Sequence, residues 1–146
     1  MERSLSLPDE AATRALAARL ARALPKGAVL VLSGPLGAGK TTLVRYLAEA
    51  LGFSGRVTSP SYTLVHVYPT PEGPLVHADL FRLEDPRAAE ALGLFEGVED
   101  PRLTAVEWGR PEDFPGAVVL ELSPREDGTR GARLAAPDPR LLEGII

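Results

Sequence analysis

The chain has 146 residues, which is enough for one domain of ordinary size and too few for two. Hydrophobic residues make up 45% and charged residues 25% of the sequence, a balance that is typical of globular proteins and excludes a disordered chain. The lack of cysteine excludes disulfides, thiolate nucleophiles and cysteine-bound zinc, and the net charge of -4 argues against a protein that holds nucleic acid mainly by its own surface. We therefore expect one domain over 1–146.

The sequence also lacks Asn and Gln, and Met occurs only at position 1. Depletion of these thermolabile residues is typical of thermophilic proteins. A GC-rich genome produces the same bias, and the excess of Arg over Lys fits both explanations equally. No apolar run is long enough to cross a membrane, and the first residues lack the apolar core of a secretion signal. We therefore expect a cytoplasmic protein without a membrane partner.

A helix, a strand and a second helix are predicted in the first third of the chain. Apolar residues recur at helical spacing over 8–24, and Pro8 suits the first turn of that helix. The continuous apolar run over 28–34 is typical of a strand buried on both faces of a parallel sheet. After a glycine-rich turn, the second helix is expected from about Lys40 to Leu51, with Gly52 as its C-cap.

Short apolar runs bounded by turn residues predict further strands over 61–68, 75–81, 102–108, 117–123 and 130–136. The first two and the last two of these flank short turns and predict hairpins. A short helix is expected over 85–92, and 139–146 predicts either a short helix or a docked tail. Together the elements predict an α/β domain whose central sheet is mostly parallel, with antiparallel hairpins at its margins and helices on both faces.

The segment 34–41, GPLGAGKT, fits the phosphate-binding pattern G-x-x-x-x-G-K-[ST] between a buried strand and a helix. Its glycines let successive backbone N–H groups face phosphate oxygens, and the helix N-terminus adds partial positive charge. The Lys40 side chain can reach the β- and γ-phosphates, and the Thr41 hydroxyl can ligate Mg²⁺. The predicted nucleotide-binding residues of this loop are Gly37, Ala38, Gly39, Lys40, Thr41 and Thr42. The motif therefore predicts a P-loop NTPase fold.

Two carboxylates are candidates for the metal that such a site needs. Asp79 and Glu107 each close an apolar predicted strand. The carboxyl ends of parallel strands open toward the nucleotide crevice, so we predict catalytic and metal-binding roles for both residues. A helix cap or surface turn stays open for Asp79, and a surface carboxylate at a strand end stays open for Glu107.

Other polar and aromatic residues carry weaker predictions. The loop over 58–63 has five hydroxyl groups around one proline, which suits either a loop that follows the γ-phosphate or an ordinary polar turn. Trp108 is the only tryptophan, and an isolated tryptophan more often belongs to a core or an interface. We expect a structural role for His66. His77 lies two residues from Asp79 on the same strand face, where it is either structural or a support for that carboxylate.

The remaining features narrow the range of reactions that we expect. The arginines of the second hairpin, Arg125, Arg130 and Arg133, suit a solvated surface or a contact with nucleotide or RNA. A GTPase is excluded, because its guanine-reading N-K-x-D motif needs an Asn that the chain lacks. A small-molecule kinase needs a lid rich in arginine, and the candidate lid over 84–102 carries only Arg87 and Arg102.

Four segments in this order resemble the TsaE family (formerly YjeE), the small P-loop ATPases of bacterial tRNA threonylcarbamoyladenosine synthesis. They are LSGPLGAGKTTLVRYLAEALG, VTSPSYTLVHVY, HADLFRLEDP and AVEWG. The resemblance extends from the first helix to the second hairpin. Ser61, Phe81 and Gly109 depart from the residues usual in the family, and none of these departures removes a phosphate-binding or metal-binding group.

The resemblance implies ATP and Mg²⁺ as ligands and weak hydrolysis by the isolated protein. It implies TsaD and TsaB as partners, which transfer a threonylcarbamoyl group to an adenosine beside the anticodon. This subunit would then be a nucleotide-dependent switch on their complex, monomeric when alone, with tRNA contacted only through the partners. A small-molecule kinase and a nucleotide-gated interaction module without catalysis stay open as alternatives.

The resemblance also assigns roles to residues outside the P-loop. It implies that Asp79 is a catalytic or metal-side aspartate and that Glu107 is a metal-side glutamate. It implies that Trp108 lies beside the site, and that Thr13 and Arg133 lie near the nucleotide.

Overall fold

A seven-stranded sheet organises the part of the chain that the structure describes. The computed structural model describes residues 2–35, 37–57, 65–80, 100–109, 111–143 and 145. The strands are β1 (Glu2–Leu7), β2 (Ala28–Ser33), β3 (Val65–Tyr68), β4 (Leu75–Asp79), β5 (Leu103–Glu107), β6 (Val118–Pro124) and β7 (Arg130–Ala135). The α-helices are α1 (Glu10–Ala23) and α2 (Lys40–Ala50), and short 3₁₀ turns cover Pro111–Asp113 and Pro139–Leu141.

The strand order is β1-β7-β6-β2-β5-β4-β3. Strand β2 pairs in parallel with both β5 and β6, and β4 pairs in parallel with β5. The β6–β7, β1–β7 and β3–β4 pairs are antiparallel. The prediction of a parallel centre with antiparallel margins is therefore confirmed. Because β2, β4 and β5 run in the same direction, their carboxyl ends meet at one edge of the sheet.

Both described α-helices pack against the same face of the sheet. Alternate strand residues such as Leu30 and Leu32 of β2 join the leucines of α1 and α2 in the main core, while Val29 joins a smaller cluster on the other face. Leu43 and Leu47 of α2 are fully buried, and each such side chain contributes about 1.5–3 kcal/mol. This packing holds the start of α2 against the end of β2. The helix predicted over 85–92 lies outside the described residues.

The first helix begins slightly later than its sequence suggests. The Asp9 side chain accepts a hydrogen bond from the backbone N–H of Ala12 at 2.9 Å, so Asp9 is the N-cap and Pro8 precedes the helix. An ion pair between Arg14 and Glu49 joins α1 to α2. The two helices therefore run alongside each other.

Strand β1 is the element that sequence patterning missed. Its sequence, ERSLSL, is largely exposed, with only Leu7 buried, and it pairs with a strand from the far end of the chain. The C-terminal segment both forms a short 3₁₀ turn and docks, because Leu142 and Ile145 are buried in the main core. No helix among the described residues has the length and apolar character needed to span a bilayer.

Candidate nucleotide-binding site

The P-loop motif connects β2 to α2, as predicted. Gly34 and Gly39 have φ angles of +136° and +100°, which residues with a Cβ atom rarely adopt. A Cβ on Gly34 would lie only 2.3 Å from the carbonyl oxygen of Leu122, so the loop also needs glycine here for space. Among the described residues, no side chain caps the N-terminus of α2, whose first helical residue is Lys40. The first-turn N–H groups of α2 are therefore available to an anion.

Lys40 is held at the mouth of this loop. Its ammonium donates to the carbonyl oxygen of Gly34 and lies 3.4 Å from that of Pro35. The nitrogen also lies 3.6 Å from the centroid of the Trp108 ring, within the range of a cation–π interaction. Burial lowers the pKa of Lys40, and the negative charges of Glu107 and Asp79 act in the opposite direction. The site thus holds a largely buried cation beside the N-terminus of α2.

Glu107 joins the P-loop helix to β4. The Thr41 hydroxyl donates to the Glu107 carboxylate, at 3.2 Å from Oε2 and 3.5 Å from Oε1. Nε2 of His77 lies 2.5 Å from Oε2 of the same carboxylate. Glu107 is only 3% exposed, so both contacts are shielded from solvent. The arrangement pairs the predicted metal-binding hydroxyl with the predicted metal-side carboxylate.

Asp79 is aligned with Glu107 by the sheet. The two residues are partners in the parallel β4–β5 register, and Glu107 is also the partner of Leu32 on β2. Asp79 is 5% exposed, and the charges of both carboxylates act on Lys40. The register therefore brings both predicted carboxylates to the edge of the sheet at which β2 enters the P-loop.

The donor set fits Mg²⁺. Thr41, Glu107 and Asp79 offer hydroxyl and carboxylate oxygens, which are the hard ligands that Mg²⁺ prefers. Within the described ranges, no group of three or more His, Cys, Asp or Glu side chains forms a metal cage. Nucleotide-bound Mg²⁺ is commonly held by one or two carboxylates together with phosphate oxygens and waters, so a complete protein cage is not needed.

Trp108 occupies a strained backbone position next to Glu107. Its φ of 62° lies in the left-handed region, which costs a residue other than glycine about 1–3 kcal/mol. Trp108 packs against the buried cluster of Ala78, Leu80 and Val106, and its ring also faces the Lys40 ammonium. The sequence favoured a core or interface role, and the structure combines partial burial with a position at the P-loop.

The structure brings Arg130, and not Arg133, to the P-loop. The guanidinium carbon of Arg130 lies 3.0 Å from the position that a Cβ on Gly39 would occupy. Arg133 projects from the opposite face of β7 and donates to Oε2 of Glu121 at 2.9 Å. The described contact of Arg133 is therefore with Glu121, and its predicted nearness to the nucleotide stays a prediction. Arg130 shares the strand face of the buried residues Ala132 and Leu134, a periodicity visible in the sequence.

The other predicted residues vary in how closely the structure relates them to the loop. Gly37, Ala38 and Thr42 lie in the loop and in the first turn of α2, with Ala38 fully buried. Thr13 is 1% exposed on α1, and no described residue pairs with its hydroxyl. It therefore makes no hydrogen bond to the described part of the P-loop. The hydroxyl-rich loop over 58–63 lies outside the described residues.

Comparisons with known proteins relate this chain to one family. Residues 7–132 match the family model for "Threonylcarbamoyl adenosine biosynthesis protein TsaE". The tRNA threonylcarbamoyladenosine biosynthesis protein TsaE of Aquifex aeolicus is 39% identical, over 88% of this chain and 92% of the relative. The protein of the same name from Synechocystis is 42% identical, over 75% of this chain and 70% of the relative. The crystal structure of Bacillus subtilis YdiB is similar with a TM-score of 0.81 and 28% identity, covering 99% of this chain and 94% of the other.

Proposed function

Because this chain belongs to the TsaE family of threonylcarbamoyl adenosine biosynthesis proteins, we propose that it binds and slowly hydrolyses Mg²⁺-ATP in the service of tRNA modification. One observation carries the proposal. The buried cation of Lys40 and the hydroxyl–carboxylate pair of Thr41 and Glu107 meet at the start of α2. A triphosphate needs a cation such as Lys40, and its metal ion needs oxygen ligands such as those of Thr41 and Glu107.

The phosphate chain is bound mainly by the P-loop. The backbone N–H groups at the start of α2 donate to phosphate oxygens, and Lys40 exchanges its loop carbonyl contacts for the β- and γ-phosphates. Arg130, which lies against Gly39, supplies a second cation. These groups bind and orient ATP before any bond is broken.

Thr41, Glu107 and Asp79 would hold Mg²⁺. Since a hydroxyl has lone pairs besides its proton, Thr41 can ligate a metal while it continues to donate to Glu107. The metal ion would neutralise charge that develops on the transferred phosphoryl group. Asp79, the register partner of Glu107, is the second carboxylate that would orient the attacking water or the metal.

The isolated protein should hydrolyse ATP slowly. The sequence contains no Gln, the residue that orients the attacking water in many P-loop enzymes. We infer that TsaD and TsaB complete or order the site, so that hydrolysis becomes coupled to their threonylcarbamoyl transfer. The protein would then be a nucleotide-dependent switch on that complex, and the tRNA would be held chiefly by the partners.

Nucleotide binding is the first test. Lys40→Ala should weaken ATP binding strongly in calorimetric titrations without unfolding the protein. Lys26→Ala is the matched control, because Lys26 is the only other lysine and is exposed away from the motif. ATP should compete better than GTP, since the chain has no guanine-reading motif. Equal ATP affinity in both lysine variants would reject the site.

Hydrolysis is the second test. Phosphate release should be slow for the wild type alone and should rise when TsaD and TsaB are added. Asp79→Ala and Glu107→Ala should keep ATP binding through the P-loop backbone but lose the stimulated rate. A fast wild-type rate that ignores the partners would reject the switch, and full stimulated activity in both variants would reject the carboxylate roles. A phosphorylated product other than phosphate and ADP would indicate a kinase.

A further inference from the structure

His77 is a fully buried polar residue at the centre of β4. It is 0% exposed, and its neighbours on the strand, Val76 and Ala78, are apolar and buried. The Tyr68 ring packs beside its imidazole, with 6.4 Å between the ring centroids. Its Nε2 lies 2.5 Å from Oε2 of Glu107. An ionised carboxylate can only accept hydrogen bonds, so Nε2 is the donor.

The other ring nitrogen of His77 has no such partner. Nδ1 is buried, and no described residue forms a hydrogen bond with it. Leaving a buried polar atom without a partner typically costs about 1–3 kcal/mol. An apolar side chain at this position would avoid that cost. Among the described residues, the one side-chain hydrogen bond that His77 makes is to Glu107, which points to a role in holding that carboxylate.

Both contacts to Glu107 involve Oε2 of its carboxylate. His77 donates to Oε2, whereas the Thr41 hydroxyl spans Oε2 and Oε1 from the P-loop side. The Thr41 contact belongs to a residue that would itself be a metal ligand. The His77 contact comes from the sheet, and the packing of Tyr68 holds its direction. His77 therefore fixes Glu107 independently of the nucleotide.

We propose that His77 is a positioning residue that orients Glu107 for Mg²⁺ binding through the Nε2 hydrogen bond. This inference rests on the proposed function, because it assumes that Glu107 serves Mg²⁺-ATP. Hydrogen-bond partners of metal-binding carboxylates typically contribute about 10–100-fold to metal affinity. The effect should appear in the response to Mg²⁺ and not in ATP binding without metal.

Two substitutions separate the hydrogen bond from packing. His77→Phe keeps a ring beside Tyr68 but removes the donor, and His77→Gln keeps an N–H donor within reach of Glu107. His66→Phe is the matched control. His66 is the register partner of His77 on β3, and its Nδ1 contacts the Tyr68 hydroxyl at 3.0 Å rather than Glu107.

ATP binding is measured by calorimetry over a series of free Mg²⁺ concentrations and in EDTA. His77→Phe should require about 10–100-fold more Mg²⁺ for the same gain in ATP affinity, with unchanged affinity in EDTA. His77→Gln should restore most of the loss, and His66→Phe should match the wild type. Wild-type Mg²⁺ dependence in His77→Phe, or equal loss in the Phe and Gln variants, would overturn the role of His77. A wild type that binds no ATP under either condition would instead reject the proposed function.

A measurement on the wild type covers the case in which His77→Phe does not fold. The protein is labelled with ¹⁵N-histidine and saturated with ATP, and its imidazole resonances are followed while Mg²⁺ is added. The Nε2 resonance of His77 should shift over the Mg²⁺ range in which ATP affinity rises, while that of His66 stays fixed. An unchanged His77 resonance at saturating Mg²⁺-ATP would overturn the proposal.

Discussion

The ammonium of Lys40 lies 3.6 Å from the centre of the Trp108 ring, on the side of the P-loop where β5 ends. Trp108 reaches this position through a left-handed turn directly after Glu107. The P-loop cation is thus held by an aromatic face as well as by the loop carbonyls of Gly34 and Pro35. Since an aromatic face attracts a cation but does not neutralise it, Lys40 keeps its charge for phosphate.

Trp108 should therefore contribute to ATP affinity through its ring face. Trp108→Phe retains a π-face, and Trp108→Leu retains apolar bulk without one. A cation–π interaction is worth about 0.5–2 kcal/mol, so we expect the Leu variant to bind ATP at least about twofold more weakly than the Phe variant. Calorimetric titration of both variants measures the difference. Equal affinities would mean that Trp108 acts only by packing.

The lowered pKa of Lys40 predicts a pH dependence for ATP binding. The ammonium binds phosphate, so the affinity for ATP should be highest below the pKa of Lys40 in the free protein. It should fall as the pH rises through that pKa. Burial sets that pKa below the usual 10.5, and Glu107 opposes the shift. Glu107→Gln should lower the pKa further and move the loss of affinity to lower pH.

Titrations in EDTA between neutral and alkaline pH test this prediction without the metal. Glu121→Gln is the control, because Glu121 pairs with Arg133 on the other face of the sheet and should leave the pH profile unchanged. A Glu107→Gln profile that coincides with the wild type would show that its charge does not govern Lys40.

Arg130 and Arg133 should differ in their effects on nucleotide binding. Arg130 lies against Gly39, and a charge-assisted hydrogen bond contributes about 1.5–3 kcal/mol, so Arg130→Ala should weaken ATP binding about tenfold or more. Arg133 pairs with Glu121 at the surface, where such pairs contribute about 0–1 kcal/mol to stability. Arg133→Ala should leave ATP affinity unchanged. The reverse order of effects would contradict the observed face of β7.

Two glycines of the P-loop should differ in their effects on stability. Within the described part of the chain, Gly37→Ala meets no atom within 4 Å, and its φ of +79° gives a cost of about 1–2 kcal/mol. Gly34→Ala also meets the Leu122 carbonyl oxygen at 2.3 Å, which raises the expected cost to about 2–5 kcal/mol. Urea unfolding of both variants gives the comparison. Equal losses would show that the loop moves away from β6 without penalty.

Most of the sheet could be predicted from the sequence because its central strands are continuous apolar runs. The run that forms β2 and the helical spacing after Lys40 identified the strand and helix around the P-loop. Strand β1 could not be found in this way, because it buries little apolar surface and owes its place to pairing with β7. Its partner is separated from it by most of the chain, and no local pattern reports such a pairing.

The residues of the candidate site that lie at strand ends could be predicted from the sequence. Those whose position depends on the face of a strand were harder to predict. Asp79 and Glu107 follow from the position of each at the end of an apolar run, and the parallel register aligns them. Whether Arg130 or Arg133 faces the P-loop depends on the face of β7 that each residue occupies. Alternation with the buried Leu134 would have favoured Arg130. The contact of His77 with Glu107 depends on two strands lying side by side, which sequence spacing alone does not specify.

The pairing of β1 with β7 has a consequence for how the protein is made. The segment that forms β1 is synthesised well before its partner, residues 130–135. Pairings between such distant segments form late, because closing a long loop costs entropy before the contacts compensate for it. On a translating ribosome, β1 therefore stays without its partner until β7, the strand that places Arg130 beside the P-loop, has emerged. The nascent protein should therefore acquire its full nucleotide affinity only after residues 130–135 have emerged.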